Sequence, residues 1–323
     1  MNSKSIRRAM TLAALTLPLL HLPAQAQDSA PPIEYVIGFP PGSSADAVGR
    51  MVADLMAKAL NRNVVVNNKP GAGTTIAAQY VATAKVPMLF NADFATLATM
   101  PHLMSKLPYD PEKDFAPISL LARVPLLLAV SANVPARNLQ EFRTWAATQR
   151  DGVPYGSSGP GTPHHLAGEL IKDLIGVKMV HVAYKGGAPM TNDLLAGQIP
   201  AGMMDVANAK PQLPGGKIRG LAIATLQRSP AAPDVPTFHE QGYPNFEASA
   251  WQAVVASLAT PPELRVRFTS AVHAALNAAP LKARLDAIGV EGLPSTPEQL
   301  ASFARAENIR WGEIIRKHNI KIE

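Results

Sequence analysis

The sequence predicts an α/β protein with a mostly parallel sheet, built as one large or two medium domains. Short apolar segments typical of buried strands alternate with segments whose apolar residues recur at helical spacing. The length of 323 residues is more than one small core needs. The 30 prolines favour turns and extended connections over a helical bundle.

Composition excludes several classes of protein. Hydrophobic residues make up 47% of the chain and charged residues 17%, which excludes a disordered chain. The chain has no Cys, so it has no disulfide, no thiolate-bound metal and no cysteine nucleophile. The formal charge is +6, but the basic residues are scattered without an Arg-rich stripe, so we expect no nucleic-acid partner.

The first 26 residues have the three parts of a secretory signal peptide. Lys4, Arg7 and Arg8 precede an apolar run over residues 9–20, and Ala24 and Ala26 supply small residues for cleavage before Gln27. The run is too short for a transmembrane helix, although an uncleaved anchor is the alternative. Removing residues 1–26 leaves a formal charge of +3. We therefore expect a protein exported to a bacterial periplasm.

Strands and helices alternate through the first half of the mature chain. We predict strands at residues 34–39, 64–66, 88–91, 118–121 and 126–130 from short apolar runs, of which the first ends at Pro40 and the second at Asn67. Val48, Val52 and Met56 recur at helical spacing after the candidate N-cap residues Ser43, Ser44 and Asp46. A helix of small residues is expected over 74–84.

The alternation continues to residue 257 and then gives way to helices. Strands are predicted at residues 153–157, 180–183, 201–206 and 221–225, with helices at 139–148, 164–175 and 188–195. A strand over 251–257 would return the chain to the first domain. Helices over 262–276, 281–288 and 297–317 complete the chain, and Pro261 and Pro297 suit helix starts.

Three loops, at residues 39–46, 155–164 and 184–189, each lead from a strand into a helix. Each combines Gly with small hydroxyl side chains or free amides. Helix N-termini present unpaired N–H groups and partial positive charge, which suit carboxylates or phosphates. In open α/β sheets, ligands lie beyond the carboxyl ends of strands. The loops therefore predict an anion-binding cleft, unless their Ser and Asp residues only cap the helices.

Enzyme and metal-binding alternatives have weaker signatures. Ser157 and Ser158 follow a strand, so an exported serine hydrolase is the main enzyme alternative, but Pro160 stands where the nucleophile-elbow pattern needs Gly. His164 and His165 lack the spacing of a metal-binding helix. Asp205, at a strand end, could orient a ligand or cap a turn. Dinucleotide and phosphate-loop motifs fail, so we expect no cofactor and no metal.

The loops also carry a resemblance to a known family. The mature chain resembles the Bug family of periplasmic solute receptors, which serve tripartite tricarboxylate transporters. The matching segments are 39–50 (FPPGSSADAVGR), 68–73 (NKPGAG), 107–115 (LPYDPEKDF), 155–168 (YGSSGPGTPHHLAG), 184–189 (YKGGAP), 195–198 (LAGQ) and 233–237 (PDVPT).

The resemblance implies a two-domain periplasmic binding protein of type II, with a Venus-flytrap cleft and no catalytic centre. Domain 1 would comprise residues 27–131 and 251–323, domain 2 residues 132–250, and the hinge would lie near Ser131 and Ala250. The ligand would be a small mono- or dicarboxylate, aromatic acids included. The expected partners are the membrane subunits of a tripartite transporter, and the expected state is a monomer. A sensor receptor that docks on a signalling protein is the other alternative.

The candidate ligand-binding residues come from the three loops and from two strand ends. The chain departs from the family at residues 91–94, where the segment NADF replaces a stretch that is usually small and hydroxyl-rich. Facing the cleft, Asp93 would repel a further carboxylate and favour a hydroxyl or ammonium group; facing solvent, it would have no bearing on specificity. The complete set is Phe39, Pro41, Gly42, Ser43, Ser44, Asp46, Asp93, Ser157, Ser158, Gly159, Thr162, His165, Lys185, Gly187 and Asp205.

Overall fold

A computed structural model describes residues 31–322, so the predicted signal peptide lies outside the described residues. The strands are β1 Ile33–Ile37, β2 Val64–Asn68, β3 Met88–Asp93, β4 Phe115–Ser131, β5 Val153–Ser157, β6 Met179–Ala183, β7 Ala201–Asp205, β8 Ile218–Ile223, β9 Ser249–Ser257 and β10 Glu291–Gly292. The helices are α1 Ser44–Leu60, α2 Thr75–Ala82, α3 Met100–Leu103, α4 Leu139–Ala146, α5 Pro163–Ile175, α6 Gly187–Leu195, α7 Val206–Ala209, α8 Pro262–Asn277, α9 Ala279–Ala287 and α10 Pro297–Lys317.

The strands form one continuous sheet in the order β2-β1-β3-β9-β4-β7-β5-β6, with β8 and β10 also paired to β4. The long strand β4 connects two halves of this sheet. Its residues from Phe115 to Pro125 pair with β9, whereas those from Leu126 onward pair with β7 and β8. We call β1, β2, β3, β9 and the β9-paired part of β4 the first lobe. The second lobe is β5, β6, β7, β8 and the rest of β4.

The sheet is mixed, which corrects the prediction of a mostly parallel sheet. Strands β2-β1-β3 and β7-β5-β6 are parallel, but β4 and β9 run antiparallel to their neighbours. The two strands predicted at 118–121 and 126–130 are parts of the single strand β4. Pro125 does not end this strand, because it lies at the point where β4 stops pairing with β9 and starts pairing with β7. The domain boundaries near Ser131 and Ala250 stay predictions.

Burial explains why the parallel strands read as continuous apolar runs. Tyr35, Val36 and Ile37 of β1 are fully buried because helices cover both faces of this part of the sheet. Within residues 31–322, no helix has the length and apolar character needed to cross a bilayer. The carboxyl ends of β1, β3, β5 and β7 carry the loops that form the site described next.

Candidate ligand-binding site

A cavity of about 300 Å³ lies between the two lobes, where several strand-end loops meet. Its first-lobe walls are largely apolar and its second-lobe wall is the loop that leads into α5. The apolar lining includes Phe39, Phe94, Met100, Val124, Pro160 and Trp251. The polar lining consists of Ser43, Thr74, Asp93, Ser158, Thr162, His164, Asp205 and Gln252.

The first loop is held by Asp46, which is almost fully buried at the start of α1. Its carboxylate accepts hydrogen bonds from the Gly42 backbone N–H (2.9 Å), from Arg50 Nε (3.0 Å) and from Asn68 Nδ2 (2.8 Å). Burial opposes ionisation, but these bonds outweigh it and lower the pKa of Asp46. Asp46 therefore stabilises the loop and does not line the cavity.

Ser43 is the residue of this loop that both caps α1 and reaches the cavity. Its Oγ accepts a hydrogen bond from the Asp46 N–H (3.2 Å) as the N-cap. The remaining N–H groups of the first helical turn have no partner within the helix. Ala45 belongs to that turn and lines the cavity. The α1 N-terminus can therefore present polar N–H groups to an anion.

The second loop, between β5 and α5, turns sharply at two glycines with positive φ, Gly159 (131°) and Gly161 (72°). Thr162 caps α5: its Oγ1 accepts from the His165 N–H (3.4 Å) and donates to the Gly159 carbonyl (2.7 Å). Because the turn exposes the start of α5, Ser158 and Thr162 lie in the cavity wall. This is a second helix N-terminus aimed at the same space.

A stacked pair of histidines, His165 buried and His181 partly buried, supports the second loop from behind. The rings of His165 and His181 stack with centroids 3.7 Å apart. His165 Nδ1 accepts a hydrogen bond from the Gly161 N–H (3.1 Å), and His181 Nε2 lies 2.6 Å from Ser157 Oγ. Burial lowers the pKa of His165 to about 4 and also lowers that of His181. Neutral imidazoles therefore fix the loop geometry.

Ser158, His164 and Asp205 form a chain of contacts at the cavity wall. Ser158 Oγ lies 2.7 Å from His164 Nδ1, and His164 Nε2 lies 3.1 Å from Asp205 Oδ1. The second contact does not have the geometry of a hydrogen bond, and Asp205 Oδ1 is therefore buried without a hydrogen-bond partner within residues 31–322. The contact between His164 and Asp205 is therefore a close polar approach. The other carboxylate oxygen of Asp205, Oδ2, accepts a hydrogen bond from Asn208 Nδ2 (3.2 Å).

Asp93 faces the cavity from the end of β3. Its Oδ1 accepts from the Thr96 N–H (2.9 Å), from Thr96 Oγ1 (2.6 Å) and from Thr74 Oγ1 (3.1 Å). Burial raises the pKa of Asp93, and these bonds only partly offset that effect. A turn of π-helix over Ala95–Thr99 follows directly and brings Thr96 back to the carboxylate.

The structure brings six of the predicted site residues to the cavity and leaves eight outside its lining. Ser157 and His165 are buried behind the second loop, and Lys185 is exposed. Ligand contact stays a prediction for all of them. The lining set is Phe39, Ser43, Asp93, Ser158, Thr162 and Asp205. Outside it are Pro41, Gly42, Asp46, Ser157, Gly159, His165, Lys185 and Gly187, and the Ser44 side chain lies outside the part of the structure that is described.

The third predicted loop misses the cavity because of the strand order. Lys185 and Gly187 follow β6, the edge strand of the sheet, whereas Asp205 is the last residue of β7, which adjoins β4. Sequence reasoning missed the positions of Thr74, His164, Gln252 and Trp251 in the cavity wall. Trp251 is 2% exposed and bonds Glu307, yet it also lines the cavity.

Among residues 31–322, no group of three or more His, Asp or Glu side chains is placed to hold a metal ion.

A two-lobed α/β fold with an interlobe cavity, walled by two helix N-termini and apolar side chains, is typical of a solute-binding protein.

Comparison with known proteins places the chain within one family. The family model described as "Tripartite tricarboxylate transporter family receptor" matches residues 48–320. Protein BugT of Bordetella pertussis is 31% identical over 299 residues, which cover 91% of each chain. The chain therefore belongs to the tripartite tricarboxylate transporter receptors of the Bug type, and its fold is that of their two-domain periplasmic binding proteins.

Two solved structures with ligands are similar over most of the chain. A Rhodopseudomonas palustris protein solved with adipate has 30% sequence identity and a TM-score of 0.79, covering 90% of this chain and 98% of that one. MatC from the same organism, solved with bound malate, has 32% identity and a TM-score of 0.74, covering 88% and 98%. Both neighbours were solved with dicarboxylic acids.

Proposed function

We propose that this protein is a periplasmic receptor that captures a small carboxylate between its lobes and delivers it to the membrane subunits of a tripartite transporter. The observation that carries the proposal is the meeting of the α1 and α5 N-termini at one cavity. There, the Ser43 and Ser158 hydroxyls and the unpaired N–H groups of the two helix starts face the same space, whereas the Thr162 hydroxyl donates to the Gly159 carbonyl. The adipate and malate bound to the two neighbours support a carboxylate ligand.

A thermal-shift screen over mono- and dicarboxylates tests the capture step. A ligand that binds only the folded protein raises its melting temperature. We expect at least one carboxylate to do so, and Ser158→Ala to weaken its binding about tenfold, equal to one hydrogen bond. Ser302→Ala, an exposed serine on α10, is the matched control and should bind as the wild type does. A screen without any shift overturns the proposal.

Export and delivery need separate experiments. We propose that residues 1–26 are removed on export, so the mature protein isolated from the periplasm should begin at Gln27 by intact mass. Uptake of the identified carboxylate into vesicles that contain the membrane subunits should require the added receptor. Ligand binding without receptor-dependent uptake would favour the sensor alternative.

A serine hydrolase remains the competing function because Ser158 Oγ lies 2.7 Å from His164 Nδ1, with Asp205 beyond. We favour the receptor because the 3.1 Å approach of Asp205 Oδ1 to His164 Nε2 lacks hydrogen-bond geometry, and because Pro160 breaks the nucleophile-elbow pattern. A fluorophosphonate probe separates the two functions. We expect no labelling; stoichiometric adducts on Ser157 or Ser158 would establish the hydrolase.

A further inference from the structure

Asp93 is a buried carboxylate at the cavity wall, and the Ala95 backbone N–H is one of its hydrogen-bond donors. The residue is 9% exposed, and the bonds from Thr96 and Thr74 all end on Oδ1. None of these three bonds ends on Oδ2. Oδ2 therefore receives at most the Ala95 N–H, so it keeps an acceptor site for a donor group of a ligand.

The charges around the cavity favour a cation at this point. Its ionisable lining residues are Asp93, His164 and Asp205, and the lining holds no Lys or Arg within residues 31–322. In the same described part of the chain, Asp93 makes no ion pair. Burying a carboxylate without a cation is costly, and burial raises the pKa of Asp93 accordingly. A cationic ligand group would offset that cost, whereas a second carboxylate would add repulsion.

The apolar walls suit the middle of such a ligand. Phe94 follows Asp93 directly, and its ring meets Trp251 edge-on with centroids 6.1 Å apart. Phe39 adds a third aromatic side chain to the wall. Apolar rings bury a hydrocarbon body, and aromatic faces also attract an ammonium group. The cavity therefore combines anion-binding helix ends, an apolar middle and one buried acid.

We propose that the cavity selects carboxylates that carry a protonated amine at their far end, and that Asp93 binds the amine as a specificity-determining residue. The proposal rests on the proposed function, since it assumes that the helix N-termini hold the carboxylate. The ligand class is then an amino carboxylate with separated charges, in place of the dicarboxylates seen with the two neighbours.

The test compares probes that differ only in their end group. Calorimetry would use hexanoate, 6-hydroxyhexanoate, 6-aminohexanoate and adipate, with the corresponding shorter acids of four and five carbons. At the best length, we expect the amine to bind at least tenfold more tightly than the other three. Asp93→Asn keeps an oxygen for Thr96 but removes the charge, so it should abolish this preference and improve adipate binding. Asp54→Asn, an exposed acid on α1, is the charge-matched control.

Each other outcome overturns the inference. The inference is wrong if the wild type binds the methyl, hydroxyl or carboxyl probe as tightly as the amine probe or more tightly. It is also wrong if Asp93→Asn keeps the wild-type preference for the amine. If Asp93→Asn does not fold, the wild-type ranking of the four end groups decides the matter. The proposed function survives these results as long as some carboxylate binds; when no probe of any kind binds, both proposals fail.

Discussion

Asp46 illustrates how a single buried acid holds a binding loop in place. Replacing it by Ala removes its bonds to the Gly42 N–H, Arg50 and Asn68, so these donors lose their charged acceptor. We expect Asp46→Ala to lower the free energy of unfolding by about 2–3 kcal/mol, measured in urea. Asp54→Ala, exposed on the same helix, should change it by less than about 0.5 kcal/mol. Equal effects would refute the role of Asp46.

His165 makes stability depend on pH. Burial lowers its pKa from 6.5 to about 4, so between these values the unfolded chain carries a proton there and the folded chain does not. Stability is therefore fully present above pH 6.5 and falls as the pH drops towards 4, by on the order of 3 kcal/mol in the limit. His181, Glu169, Lys172 and His318 also act on this pKa.

The variant His165→Asn isolates this contribution. Asn cannot be protonated here, and its side-chain oxygen can replace Nδ1 as the acceptor for the Gly161 N–H. We expect the free energy of unfolding of the variant to fall less steeply than that of the wild type between pH 7 and pH 4.5. Parallel pH profiles would show that another group is responsible.

At the level of secondary-structure elements, α5 approaches β5 closely because Gly168 has no side chain. A Cβ at this position would lie 2.1 Å from Cε2 of Tyr155, whose hydroxyl donates to Glu169 (2.7 Å). We expect Gly168→Ala to destabilise the protein by about 1–3 kcal/mol, since the buried ring must move. Gly215→Ala is the control, because nothing lies within 4 Å of its added Cβ. A urea midpoint equal to that of the control would contradict this packing.

Much of the site was predictable from local sequence, because Gly-rich strand ends before helices mark where ligands bind. This reasoning found Ser43, Ser158 and Asp205. It could not separate Lys185 from Asp205, since strand order is a long-range property that single loops do not encode. Nor could it place Trp251 against Phe94, because that contact depends on β9 pairing with β3. The sequence also could not predict the hydrogen bonds of Asp46 to Gly42 and Asn68, because Asn68 lies 22 residues further along the chain.

For the whole molecule, the interlobe cavity leads us to propose that ligand binding closes the lobes by a hinge motion. The natural chain has no Cys, so Asp54→Cys on α1 and Thr144→Cys on α4 introduce a unique pair for spin labels. We expect the distance between the labels to shorten when ligand is added. A pair on α1 and α8, Asp54→Cys with Val266→Cys, should keep its distance; a constant distance in both pairs would exclude closure.

The position of β9 has a consequence for how the nascent chain folds. β9 separates β3 from β4 in the sheet, yet it is synthesised after every strand of the second lobe. A growing chain that ends before Ser249 thus has all the strands of the second lobe. It still lacks β9, the strand that connects β3 to β4 in the sheet of the first lobe. We expect the second lobe to become protease-resistant first during synthesis, and the first lobe only once β9 has emerged.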